Sequence, residues 1–310
     1  MRRQVHVLVL GATLALALGL AACGAQPGAV TASAPTSAAP STTTPFLDPS
    51  PGLEQVEDQY GVRIGVSVYD SGSGQSFSYR GDERFGFAST LKVLLAAAFL
   101  QSTPPEARDS VVVWTQEDVE SAGYSPATSE HVADGLTLAQ LAEAAVRSSD
   151  NTAANILFEE LGGPAGAQDA LRGLGDRTTS VVDVEPELNV IEPGSIDDTT
   201  TPHAFTSDLR EILLGEALSA GDRATLIDWM SGNATGDHLI RAGAPEGWVV
   251  ADKSGGAGGI RNDVALVTPP GRPPLVISVL TEKTDPDADY EDEAVARAAQ
   301  AALAAFAGDS

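Results

Sequence analysis

The sequence predicts an α+β protein: an antiparallel sheet flanked by N- and C-terminal helices, plus an all-α domain. Three observations carry this. Strand patterns occur only at residues 64–80 and 247–281. Helical patterns fill the stretch between, to about residue 231. One short helix precedes the first strand, and an Ala-rich helix follows the last. Strands at both ends with helices between them make one α/β half from both ends of the chain and insert a helical half into it. With 310 residues, 43% of them hydrophobic, the chain can bury a core of one large or two small domains.

The elements follow in order. Arg2 and Arg3, the apolar run 5–18 and Leu20-Ala21-Ala22-Cys23 have the pattern of an export signal over 1–22. The run is short and broken by Gly11 and Gly19, which argues against a membrane span. Residues 23–50, rich in Ala, Ser, Thr and Pro with almost no charge, read as a flexible tether. The folded domain is expected over 51–310, with 51–85 and 232–310 as the α/β half and 86–231 as the helical half. An amphipathic helix at 53–60 stops at Gly61. Ile64, Val66 and Val68 alternate with Gly65 and Ser67, and a Gly/Ser/Asp turn at 70–74 leads to a second strand at 76–80, which together make a hairpin. Residues 93–100 are apolar on every side and predict a buried helix, with Ser89 at its start. Thr137 and Gln140 fit a capping box. Further helices are expected at 151–161, 207–214 and 224–230, then strands at 247–253, 260–267 and 275–281, and a helix at 294–306.

The charge excludes some partners. Eighteen Lys and Arg against 43 Asp and Glu give a net charge of −25. That argues against nucleic acid or an anionic lipid surface as a partner. An anionic substrate would need a local positive pocket. The four histidines are scattered, so neither a metal nor another cofactor is expected. Cys23 is the only cysteine, so no internal disulfide can form. Leu-Ala-Ala-Cys resembles a bacterial lipobox, in which the cysteine carries a lipid. The expected location is therefore the outer side of the cell membrane, anchored through Cys23.

Four fragments carry the chemistry, in this order: Ser89-Thr90-Leu91-Lys92, Ser149-Asp150-Asn151, Glu185-Pro186-Glu187-Leu188-Asn189 and Lys253-Ser254-Gly255. On a helix, Ser89 and Lys92 share a face, so the amine can reach the hydroxyl. A serine is a weak nucleophile and needs such a base. The start of a buried helix also favours developing negative charge. Each fragment alone has an ordinary explanation: a surface lysine, a helix cap, a charged loop, a strand end. All four in this order point to acyl transfer, which needs a nucleophile, a base, an oxyanion hole and a second attack by water.

These fragments, with Tyr124-Ser125-Pro126-Ala127-Thr128, Trp229-Met230 and Asn233-Ala234-Thr235-Gly236-Asp237-His238, resemble the class A serine β-lactamases over nearly all of residues 51–310. The resemblance implies a two-domain, monomeric serine hydrolase of the penicillin-binding-protein superfamily that opens β-lactam antibiotics. It implies Ser89 as nucleophile and Lys92 as its amine. Ser149 would pass a proton to the leaving nitrogen. Asn151 would bind the substrate's side-chain amide. Glu185 and Asn189 would hold the hydrolytic water, with Lys92 and Glu185 both open as the acylation base. Lys253, Ser254 and Arg261 would bind the substrate carboxylate, the N–H groups of Ser89 and Gly256 would form the oxyanion hole, and Tyr124 would line the entrance. Two features depart from the family. Asp183 stands where an arginine usually pairs with an aspartate, here Asp198, so two carboxylates should oppose each other, with Arg177 the nearest basic residue in sequence. The stretch from Lys253 to Arg261 is also one residue short. A D,D-peptidase of the same superfamily and a non-catalytic lipoprotein that binds β-lactams or peptidoglycan are the alternatives. Glu185 and Asn189 speak against the first.

Overall fold

The computed structural model describes residues 47–308. The expected signal, Cys23 and nearly all of the tether lie outside the described residues. The first helix, α1 (Ser50–Tyr60), begins with Pro51 in its first turn and ends at Gly61, whose left-handed φ of 59° only glycine adopts freely. The expected hairpin follows as β1 (Val62–Asp70) and β2 (Ser76–Tyr79). A short β3 (Phe85–Gly86) leads through a 3₁₀ turn at Ala88–Thr90 into α2 (Leu91–Ser102).

The helical half continues with β4 (Val111–Val112), α3 (Gln116–Ala122), β5 (Leu136–Thr137), α4 (Leu138–Arg147), α5 (Asn151–Leu161) and α6 (Gly163–Leu174). Then come β6 (Thr199–Thr200), α7 (Pro202–Leu213), α8 (Ala220–Ser231) and the one-turn α9 (Ile240–Gly243). The chain closes with β7 (Val249–Ala257), β8 (Ile260–Thr268), β9 (Leu275–Lys283) and α10 (Asp292–Ala304). The helical half is not purely α. Two short antiparallel ladders, β3 with β6 and β4 with β5, tie its loops down.

The five long strands form one antiparallel sheet in the order β2-β1-β9-β8-β7. Its two faces are buried differently. Ile64, Val66, Val68, Ala265 and Ile277 pack under α1 and α10. Val264, Leu266, Val276 and Leu280 face the helical half. The alternation read at 64–68 is therefore not inside against outside, because both faces are covered. Gly65 points at the helical half, where a Cβ would fall 2.5 Å from the Phe85 ring and 2.6 Å from Pro202, so only glycine lets the strand pass.

α2 runs through the middle of the helical half with Val93, Leu94, Leu95, Ala96, Ala97, Phe99 and Leu100 all buried. At about 1.5–3 kcal/mol for each large side chain removed from water, this helix is a main source of the domain's stability. β7 is an edge strand of the sheet, and it lies against the turn that begins α2. That contact positions the site.

Candidate active site

The nucleophile turn is held from three sides. Ala88 takes a left-handed φ of 45° and turns the chain into α2. Asn262 of β8, fully buried, donates to the carbonyls of Gly86 (2.7 Å) and Phe87 (3.2 Å). Gly255 presses on the same turn: a Cβ there would fall 2.9 Å from Thr90 N and 3.1 Å from Ser89 N. A fixed turn of this kind keeps Ser89 in one position without help from a ligand.

The second fragment sits between α4 and α5. Asp150 caps α5, accepting from Ala153 N at 2.9 Å, and also accepts from the N–H groups of Ala127 and Thr128 and the Thr128 hydroxyl. So anchored, it sets its two neighbours. Ser149 takes a left-handed φ of 58°, a strained conformation for a serine. Asn151 donates from Nδ2 to Ala122 O at 2.8 Å and from its backbone to Tyr124 O at 2.9 Å.

These anchors bring the predicted residues together. Lys92 Nζ donates to Ser89 Oγ (2.9 Å), to Ser149 O (2.8 Å) and to Asn151 Oδ1 (2.6 Å). Glu185 Oε1 accepts from Ser89 Oγ at 3.0 Å and stands 2.9 Å from Lys92 Nζ. Asn189 Nδ2 donates to Glu185 Oε2 at 2.6 Å. Lys253 Nζ donates to Ser149 Oγ at 3.1 Å and to Ser254 O at 2.6 Å. The Ser254 hydroxyl shares a 2.6 Å hydrogen bond with Thr235. The shorter β7–β8 connection leaves Arg261 paired in register with Gly256, its Nε donating to Asp292 at 2.7 Å.

A cleft of about 500 Å³ opens over this cluster. Ser89, Ser149, Asn151, Glu185, Asn189, Ser254, Gly256 and Arg261 line it, and Tyr124 stands exposed at its rim. Lys92 and Lys253 sit behind the cleft, at 1% and 0% exposure. Burial pulls the Lys92 amine below its ordinary pKa, opposed by the Glu185 charge. Burial, then the charge of Lys92, pulls Lys253 down to about 7.

The loop carrying Glu185 has little regular structure beyond a 3₁₀ turn at Glu187–Asn189. It is fastened mainly by side chains on backbone. Asn155 of α5 grips the Glu185 peptide twice, accepting from its N–H at 2.9 Å and donating to its carbonyl at 2.8 Å. Asp198 Oδ1 accepts from the N–H groups of Val182 (2.9 Å) and Asp183 (3.2 Å). Asp183 does face Asp198, whose carboxyl is pushed up by burial and, to a lesser degree, by the Asp183 charge. Arg177 is not what compensates. Arg84 donates to Thr178 O and Thr199 Oγ1, and Arg172 donates to Asp176 O and Thr179 O.

Sequence reasoning gave no role to Asn155, Thr235, Asn262, Tyr290 or Asp292. The Tyr290 ring stacks on the Arg261 guanidinium, 4.8 Å from its centroid, and walls the cleft. Asn155 lies one turn after Asn151 on the same face of α5, the one sequence signal that could have marked it.

This fold and cluster define a serine acyl-transfer enzyme. A family model for the β-lactamase enzyme family matches residues 50–306. A β-lactamase of Amycolatopsis lactamdurans is 48% identical over 263 residues, covering 83% of this chain and 86% of that protein. One from Bacillus amyloliquefaciens is 48% identical over 250 residues, covering 80% and 81%. The β-lactamase from Streptomyces albus G superposes with a TM-score of 0.81 at 41% identity, over 83% of this chain and 99% of that one. The class A β-lactamase from Clostridium kluyveri superposes with a TM-score of 0.80 at 42% identity, over 83% and 97%. The chain belongs to the β-lactamase enzyme family, in class A.

Proposed function

We propose that this protein hydrolyses β-lactams through an acyl-enzyme on Ser89. One observation carries the reading: Ser89 Oγ lies within 3.0 Å of both Lys92 Nζ and Glu185 Oε1. Two proton acceptors therefore touch the nucleophile, and one of them sits on a separate loop. Ser89 Oγ attacks the lactam carbonyl and loses its proton to this pair. Burial, which disfavours the charged amine, leaves more of Lys92 in the neutral form that can accept the proton. The ring C–N bond then breaks, and the nitrogen takes a proton through Ser149, which Lys253 holds. The N–H groups of Ser89 and Gly256 receive the oxyanion. Ser254 O leaves the free edge of β7 to meet Lys253, and groups two residues apart share a strand side, so Gly256 N–H faces the same way. Lys253, Ser254 and Arg261 give an otherwise acidic protein the positive corner that a substrate carboxylate needs. Asn151 and Tyr124 contact the substrate's side chain.

The second half distinguishes a hydrolase from a D,D-peptidase. Glu185 takes a proton from water, which attacks the acyl carbonyl and releases Ser89 with its proton restored. Asn189 and Asn155 fix Glu185 for that step. The test is a chromogenic cephalosporin assay with mass spectrometry of the intact protein. The parent should show a transient adduct and many turnovers. Ser89→Ala should show neither. An adduct on Ser89→Ala would place the nucleophile elsewhere, and a single acylation without turnover would favour the peptidase or binding alternatives.

The lipobox-like Leu20-Ala21-Ala22-Cys23 supports export and anchoring of this enzyme as a membrane-bound monomer through lipidated Cys23. Cys23→Ser should move it from the membrane fraction to the soluble exported fraction; equal membrane association of both forms would exclude Cys23 as the anchor.

A further inference from the structure

Where the loop that carries Glu185 leaves α6 and its far end enters α7, apart from the residues that line the cleft, lies another cavity of about 350 Å³. Asp176, at the end of α6, and Asp208, on α7, both line it. Asp176 begins the loop. Its carboxylate accepts from Thr178 N at 2.6 Å and from Thr179 N at 3.1 Å, and so shapes the first turn after α6. Asp208 is 2% exposed, and its Oδ2 meets no donor. Its neighbour in this cavity is the Asp176 carboxyl, close enough to act on it as a charge and as a hydrogen-bonding group, and no cation or N–H donor reaches it among the described residues. Two carboxyl groups can share a hydrogen bond only if one keeps its proton.

We propose that Asp208 is a positioning residue of the hydrolytic loop: as a neutral acid it donates to the Asp176 carboxylate and fixes the turn from which the Glu185 segment departs. The surrounding charges place the proton. Burial first, then Asp176 and Glu211, raise Asp208 to about 9. Arg172 opposes, but both of its terminal nitrogens are already given to backbone carbonyls of the loop, Asp176 O and Thr179 O. Asp82, Arg177 and His203 share the same cavity. Asp176, already accepting two backbone N–H groups, is the better place for the negative charge. Asp208 touches neither cleft nor nucleophile and acts only through the turn. Loss of its proton sets two carboxylates against each other beneath the loop.

In its kinetic arm the inference rests on the β-lactamase reading; its thermodynamic arm does not. A carboxyl raised in the folded state contributes stability that is complete below the usual carboxylate range and drains as pH climbs toward about 9. Asp208→Asn keeps a donor that cannot ionise. Its melting temperature should therefore exceed the parent's by a margin that grows by about 5 °C between pH 5 and pH 9. A constant margin overturns the proposal. The kinetic arm follows the decay of a cephalosporin acyl-enzyme from pH 7 to pH 10. The parent's decay should slow about tenfold more than that of Asp208→Asn toward the alkaline end. Coincident alkaline limbs overturn the proposal. Asp208→Leu, which leaves Asp176 without its donor, should slow decay at every pH with acylation unchanged; decay equal to the parent's also overturns it. Failure of the parent to acylate at all would overturn the function reading instead, and the melting arm would then decide this one.

Discussion

The residues that make the acyl-enzyme and the residue that clears it are held in different ways. Ser89, Lys92, Ser149, Asn151 and Lys253 stand on or beside α2, α5 and β7, whose packing is that of the core. Glu185 is as deeply buried, at 2% exposure, but sits on a loop whose hold is largely side chain on backbone. The first group cannot move without disturbing large apolar surfaces. The second can shift by breaking a few hydrogen bonds, each worth about 0.5–1.5 kcal/mol net. Acylation should therefore survive perturbations of the loop that stop hydrolysis.

The largest effect is expected at the loop's functional end. Glu185→Ala removes the carboxylate that touches Ser89 but leaves Lys92 Nζ at 2.9 Å from the hydroxyl. The variant should still acylate and then release product about 10²–10⁴-fold more slowly, because a positioned general base is worth that much. Intact mass should show one drug bound and retained. Unchanged steady-state turnover would show that the loop carboxylate is not the water's base, and the contrast between the two regions would lose its meaning.

The same contrast explains what could be read from the sequence. Ser89 with Lys92, and Glu185 with Asn189, were legible because each pair lies within a single turn. The elements that form by apolar periodicity were also legible, including α2, β1 and α10. The helices α3 and α6 were not. Val119 and Ala122 are the only buried residues of α3, and Ala167 and Leu171 the only ones of α6, so neither shows a clear stripe; α3 starts instead on a Thr115–Asp118 capping box. The fastenings of the site were hidden for another reason. Asn155 meets Glu185 across 30 residues and Asn262 meets Gly86 across 176, each through one side chain on a backbone group. Such a bond leaves no repeat and no spacing to find. The Asp183 departure was visible in the sequence, whereas the other fastenings of the loop's base were not: Arg84 and Arg172 hold it from other elements.

The smallest expected effect sits at that departure. Asp183 is exposed, while Asp198 is 2% exposed and turns its Oδ1 to two backbone N–H groups. Asp183→Arg replaces a like charge with an opposite one beside a buried carboxylate. Because the new guanidinium stands in solvent, the pair should add only about 0.2–1 kcal/mol. In melting temperature that is about 0.4–4 °C for a domain of this size. The sign with pH is fixed by Asp198. Burial, reinforced by Asp183, holds its carboxyl above the usual range, so the parent loses stability as pH rises through that raised value. The arginine lowers the Asp198 pKa, so the gain should appear above the ordinary carboxylate range and vanish in acid, where Asp198 is protonated in both proteins. Hydrogen exchange over residues 183–198 should slow, and single-turnover kinetics should show deacylation changing more than acylation, by less than about tenfold. A loop already as protected as α2 in the parent, with turnover indifferent to the substitution, would mean that Asn155, Arg84 and Arg172 fasten it completely and that the two regions are equally rigid.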